Sequence, residues 1–311
     1  MESHTITWSG QPAIQLRTAD YEALILPWAG ANCVALRHIP SGADLLRTPP
    51  DAEALRQGPN VYGLPLLFPP NRIEDGVYTF QGRTYRFPIN EPARHHHIHG
   101  LLSGLPFQAE GEGTFVFRAT EERPYLQFPH AFTVIREYRL TDQGGSHRVT
   151  FQNDSAAPFP LGTGIHAAWR LPFRKQDAPG AYRLSIPALR EWVLDDERKV
   201  PTGEMILDSP LLCALRSGSL VPDAQPLSAL LQCGDGPIIL RGPAGALCCQ
   251  SPDYGFIMLW NGGGGQGFVC PEPQTWAVNA PNLPLPWDVT GMRVLAPGEQ
   301  RTFSMFLQWL P

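Results

Sequence analysis

Apolar residues along this chain recur with strand rather than helical periodicity. Short segments rich in Val, Ile, Phe, Tyr, Thr and Trp alternate with clusters of Gly, Pro, Asp and Asn. That spacing predicts an all-β chain built as a sandwich or barrel. In His147 to Asn153, Val149 and Phe151 alternate with Arg148, Thr150 and Gln152, so one face packs and the other meets solvent. This strand is expected to form a hairpin with Phe132 to Leu140 across Asp142-Gln143-Gly144-Gly145. A tighter hairpin is expected where Val77 to Phe80 and Arg83 to Phe87 flank Gln81-Gly82, with glycine free to take a positive φ. Near the carboxy terminus, Met292 to Leu295 is read as turning through Ala296-Pro297-Gly298-Glu299 into Arg301 to Trp309. There Phe303, Met305, Leu307 and Trp309 share one face. Only Asp51 to Gln57, after Pro49-Pro50, reads as a helix.

At 311 residues, with 43% hydrophobic and 17% charged residues, the chain can bury a large core without external staples. Its 33 prolines and 30 glycines are spread without a polar linker or a fixed repeat, so residues 1–311 are read as one domain. A net charge of -5 argues against nucleic acid or an anionic bilayer as partner, since both require a dense cationic surface. The Met1-Glu2-Ser3-His4 start lacks the pattern of a secretory signal, and no apolar run is long enough to span a bilayer, so a cytoplasmic location is expected. Six cysteines follow neither disulfide nor zinc spacing and are read as free thiols, Cys270 as a packing residue. Gly262 to Gly265 lacks the following Lys-Ser/Thr of a phosphate loop and is read as a mobile turn.

Polar groups gather in apolar surroundings at four places. Asn71-Arg72 follows the Pro-rich run Leu64 to Pro70 and is presented at a loop mouth, where a guanidinium suits sugar hydroxyls, a carboxylate or a surface ion pair. In His95-His-His-Ile-His99-Gly100, alternate histidines would share a strand face, yet no Cys or acidic ligand stands at metal spacing, so a metal is not assigned. A single functional His99 is preferred there, with Gly100 permitting close backbone approach. His166 sits among small residues beside Trp169, a setting usual for a core histidine unless a distant carboxylate partners it. Glu272, between Pro271 and Pro273 after an apolar strand, reads either as a solvent-facing turn acid or as a base held by a stiff frame.

Taken in order, these sites resemble the aldose 1-epimerase (galactose mutarotase) family over nearly the whole chain. The resemblance is carried by Phe68-Pro-Pro-Asn71-Arg72-Ile73, Gly76, Tyr78, Phe80, Gly82 and Tyr85, then Asn90, His99-Gly100, Gly164-Ile-His166 and Arg170-Leu-Pro-Phe173. Pro201-Thr-Gly-Glu204, Cys270-Pro-Glu272-Pro-Gln274 and Leu295-Ala-Pro-Gly298 complete it. It implies a large antiparallel β-sandwich, the supersandwich, and an isomerase acting on a free aldose such as a hexose. No cofactor or metal is implied, and the protein is expected as a monomer or homodimer. His166 would be the general acid and Glu272 the general base, while Asn71, Arg72 and His99 would bind sugar. Asp223 is the candidate for a further sugar-binding carboxylate. Ala167-Ala168 stands where much of the family has Pro-Tyr. Two alternatives accompany this reading. A non-catalytic carbohydrate-binding protein could keep the fold, and an epimerase of a sugar phosphate or unusual sugar would need extra cations at the cleft, for which Arg72, Arg94 and Arg170 are candidates.

Overall fold

The computed structural model describes every residue from Met1 to Pro311. Its ladders are antiparallel, and two eight-stranded sheets dominate it. One runs in the order Gln108–Gly111, Thr114–Ala119, Phe132–Thr141, Gly144–Asn153, Gln300–Leu310, Gly245–Gln250, Ile238–Gly242 and Arg183–Ser185. The other runs Pro201–Ile206, Ala188–Leu194, Ser228–Cys233, Phe256–Trp260, Phe268–Gln274, Gly164–Ile165 and Leu66–Leu67, with Trp169–Arg170 also paired to Phe268–Gln274. A five-stranded meander, Glu2–Trp8 to Ala43–Asp44, precedes them.

The two large sheets form a sandwich because the alternation of each strand turns its apolar set inward. Phe132, Val134, Val149, Phe151, Phe303, Met305 and Leu307 of the first sheet belong to the same cluster of 63 buried residues as Leu231, Ile257, Leu259 and Val269 of the second. Arg136 is buried in this region without a carboxylate. Its guanidinium donates to the carbonyls of Gly30 (2.6 Å) and Leu64 (2.8 Å) and to His147 Nε2 (3.1 Å). The fork thereby fixes the chain that leads into Pro69-Pro70-Asn71.

Several expectations are corrected. Asp142 and Gln143 alone close the central hairpin, because Thr141 and Gly144 still pair. Arg293–Leu295 does not pair back on the last strand but on Phe159–Leu161, while Gln300–Leu310 lies between Gly144–Asn153 and Gly245–Gln250. Four-residue turn chemistry is present, but both edges of the final strand are taken by those two neighbours, which leaves Arg293–Leu295 no edge there. Besides Ala52–Gln57, capped by Asp51, a second helix spans Pro210–Ser217. Ser209 Oγ accepts from Leu212 N at 3.1 Å, proline opens the first turn, and Gly218 closes it at φ 67. A third, one-turn helix is Trp287–Thr290. The Gly262–Gly265 turn is pinned rather than loose: Gly265 N donates to Asp223 O, and Asn261 bonds the backbone of Pro222, Gln225, Leu227 and Gly263. All six cysteines are free, and no helix is long and apolar enough to cross a membrane.

Candidate active site

Glu272 lies inside the Phe268–Gln274 strand, not after it, opposite Met258 of Phe256–Trp260. The strand's ladder with Phe256–Trp260 runs unbroken, but Pro271 and Pro273 supply no N–H and, two residues apart, deprive the opposite flank of a full ladder. The facing chain leaves it at that point. Gly164 pairs with Gln274 and Trp169 with Val269, whereas His166 N donates to Pro65 O and Ala168 N to Gly63 O. The gap in the ladder is where His166 faces Glu272. Its Nε2 stands 3.1 Å from Glu272 Oε1, with both side chains about 95% or more buried. Gln274 Nε2 donates to the other carboxyl oxygen at 3.3 Å.

His99 completes the group from a third segment. Gly100, at φ +65, lets the chain cross so close to Phe68 that any Cβ there would overlap the Phe68 carbonyl oxygen. His99 N then donates to Asn71 O at 3.0 Å, and the His99 ring meets the His166 ring edge-on at 5.1 Å between centroids. His99 (φ 67) and Asn71 (φ 55) are both held in the left-handed region, strain of the kind that gathers at working sites. Arg72 forks onto Glu91, with Nε and Nη2 at 2.8 and 2.9 Å from its two oxygens.

These residues share one hollow of about 550 Å³, within the range of small-molecule sites. Asn71, Arg72, His99, His166 and Glu272 all line it. Sequence reasoning missed Asn60, Lys199 and Trp260 in the same lining, and only Trp260 left a trace, as a large aromatic ending an apolar strand. Its ring stands edge-on to His166 at 5.8 Å.

Burial governs the protons here. It raises the Glu272 carboxyl well above the usual carboxylate range, with the nearby Arg72 charge and the Gln274 hydrogen bond acting the other way. It lowers the His166 imidazolium to about 4, and holds His99 well below an ordinary histidine. Burial therefore favours one proton on the pair, carried by the carboxyl, over a separated ion pair.

The structure also separates residues that the sequence grouped. In the histidine run the strand is His96–Ile98, so the odd-numbered rings do not converge. His95 is exposed against Asp75 (3.1 Å), His96 Nε2 reaches Arg198 O (3.0 Å), and His97 Nδ1 reaches Pro88 O (2.7 Å). His99 instead joins His166 and Glu272, whose ligand atoms lie within 4.8 Å of one another, a set of two imidazoles and a carboxylate able to hold a divalent metal. Asp223 is not in the hollow. Its carboxylate accepts from Gln266 N (3.1 Å) and Gly267 N (3.2 Å), which uses it to brace the glycine turn. Arg170 is likewise outside, bonded to Asp44 (3.4 Å) and Pro172 O (3.2 Å). Cys270 is buried and its thiol is pushed well up by burial, as befits a packing residue.

Comparison with known proteins places these observations. The sequence model of the aldose 1-epimerase family matches residues 12–308. The protein YihR of Escherichia coli is 30% identical over 135 residues, 43% of this chain and 43% of that protein. A galactose mutarotase-like protein from Clostridium acetobutylicum, of solved structure, superposes with a TM-score of 0.92 at 29% identity, covering 99% of this chain and 97% of that one. An aldose epimerase homologue from Caenorhabditis elegans, at 18% identity and a TM-score of 0.79 over 99% of both chains, shares the fold.

Proposed function

Since the chain belongs to the aldose 1-epimerase family, we propose that it interconverts the α and β anomers of a free aldose by general acid–base catalysis. The observation that carries this reading is the His166–Glu272 contact of 3.1 Å in the lining of a sugar-sized hollow. With the shared proton on His166, ionised Glu272 takes the proton of the anomeric O1 hydroxyl while His166 gives one to the ring oxygen, and the C1–ring oxygen bond breaks. The aldehyde turns about C1–C2 and closes on its other face as both transfers reverse. Ring opening leaves the carboxyl protonated and the imidazole neutral, the arrangement that burial already favours. The Arg72 charge, which opposes protonation of Glu272, supports the ionised carboxylate that starts the cycle. Trp260 offers an apolar wall for the sugar ring, and Asn71, Arg72 and His99 offer polar contacts.

Two positioned groups of this kind contribute roughly 10²- to 10⁴-fold each. Glu272→Gln and His166→Asn are therefore each expected to lower kcat for anomer exchange by about that factor. Exchange NMR between the anomeric protons of a panel of free aldoses measures it, with added chelator as a parallel arm. A wild-type protein that speeds exchange of no aldose overturns the catalytic reading. Sugar affinity retained without exchange would instead mark a carbohydrate-binding protein of the same fold.

A further inference from the structure

The lining of the hollow carries more cationic than acidic side chains. Arg72, Arg94 and Lys199 all line it. Glu91 serves two of them at once, since its oxygens take the Arg72 fork and also accept from Arg94 Nη1 at 3.0 Å. Two guanidiniums thus share one carboxylate. Lys199 Nζ lies 3.5 Å from Asp196, whose side chain stands fully in solvent, so water screens that pair strongly. Arg94 Nε donates to Glu197 O at 3.0 Å, which fastens the turn carrying Lys199 to the segment carrying Arg94. Lys199 itself is held at φ 56, a conformation uncommon for lysine.

Carboxylate acceptors are correspondingly scarce. Neutral sugar hydroxyls are commonly held by carboxylates as well as by donors. Here the only acidic side chain in the lining is Glu272, already committed to the reacting end, and Asp223 is spent on the glycine turn. An anionic group on the substrate would give Arg94 and Lys199 a second, less solvent-screened partner and would supply the charged acceptor that the lining does not provide.

We infer that the hollow takes an aldose bearing an anionic group, a phosphate, sulfonate or carboxylate, with Arg94 and Lys199 holding that group at the rim while the anomeric carbon lies between His166 and Glu272. This inference rests on the mutarotase reading for the reacting end and extends it to the opposite end of the substrate. Charge-assisted hydrogen bonds to such a group give specificity that a neutral hexose cannot match.

Anomer exchange by NMR tests it with D-glucose, D-glucose 6-phosphate, D-glucuronate and a 6-sulfonated hexose, which separate the three anions from one another. At least one anionic sugar is expected to exceed glucose about tenfold or more in kcat/KM, and to lose that advantage as ionic strength rises. The paired substitution Arg94→Gln with Lys199→Gln lowers the ratio of kcat/KM for that sugar over glucose about tenfold, and Arg94→Lys with Lys199→Arg largely restores it. Equal exchange of charged and neutral sugars, or a ratio unmoved by loss of the two cations, overturns the inference and leaves mutarotase activity standing. If no sugar is exchanged, the catalytic reading falls, and calorimetry with the same four sugars decides the anionic one. Binding of an anionic sugar that disappears in the Gln variant upholds it, while absent or charge-blind binding overturns it.

Discussion

At the scale of residues, the pair His166 and Glu272 must be treated as one titrating unit, because 3.1 Å between Nε2 and Oε1 makes the proton of either the concern of both. Burial lowers His166 to about 4 and raises Glu272. Above about 4 the pair thus holds one proton. Below it, both partners are protonated and no base remains, so activity falls as pH drops through that value. On the alkaline side the last proton leaves, no acid remains, and activity falls again. The expected kcat/KM profile is a bell whose acid limb lies near 4, in place of the value of about 6.5 for a solvated imidazole. An acid limb centred on the ordinary histidine value would show that a different group carries the proton. None of this was visible residue by residue. A histidine among small residues and a glutamate between prolines each suited a bland role, and only their family order joined them across the chain. Asp223 failed as a site residue because nothing in its local sequence says that its carboxylate is consumed by the amides of Gln266 and Gly267. Lys199 and Asn60 sit in loops, where no periodicity marks which side chains will point into a hollow.

Among the elements, the positioning of His99 depends on how closely one segment crosses another. Gly100 and Phe68 form a parallel bridge, and Tyr125 Oη clamps it by donating to Phe68 O (2.6 Å) and accepting from Leu101 N (2.7 Å). A methyl at Gly100 would meet the Phe68 carbonyl and lie 2.7 Å from Tyr125 Oη, besides requiring a positive φ. Gly100→Ala is expected to destabilise the protein by about 2–4 kcal/mol and to raise KM for the sugar, since His99 and Asn71 can no longer meet. Gly298→Ala is the control. It shares the positive φ but has open space around it, so backbone strain alone should cost about 1 kcal/mol. Urea unfolding of both variants gives the comparison, and similar losses would mean that the close crossing is not what holds His99. The role of Gly100 was legible because only glycine tolerates such an approach. So were the strands with alternating faces and the Gln81-Gly82 turn, where both residues take positive φ. The pairing of Arg293–Leu295 was not, because a three-residue strand carries too little pattern to name its partner, and the long final strand was drawn to two other neighbours.

For the molecule as a whole, the sandwich buries imidazoles in their neutral form. Burial holds His97, His99 and His147 below the ordinary histidine value and brings His130 and His166 to about 4. The linkage has a definite sign. In the unfolded chain these groups bind a proton near 6.5, while in the folded chain they resist it, so the unfolded state takes up more protons as pH falls. The stability they contribute is fully present above about 6.5 and is lost as pH drops towards the folded values. Glu272 acts in the opposite sense, its raised carboxyl favouring the folded state at low pH, which offsets its partner His166 and leaves the other four histidines to set the slope. The urea midpoint is therefore expected to fall steadily from about pH 7 to about pH 5, each histidine adding up to about 1.4 kcal/mol per pH unit where only its unfolded form is protonated. A midpoint that stays level or rises over that interval would mean that these imidazoles reach water in the folded protein. His147 should contribute strongly, because its Nε2 accepts from the buried Arg136 guanidinium and cannot take a second positive charge beside it. Substituting His147 by Gln keeps an acceptor for Arg136 while removing the titration, so the variant should show a shallower fall of the midpoint with acid than the wild type. The acid sensitivity of the fold and the proton economy of the hollow thus share one cause, the exclusion of water from imidazoles that the sandwich was built around.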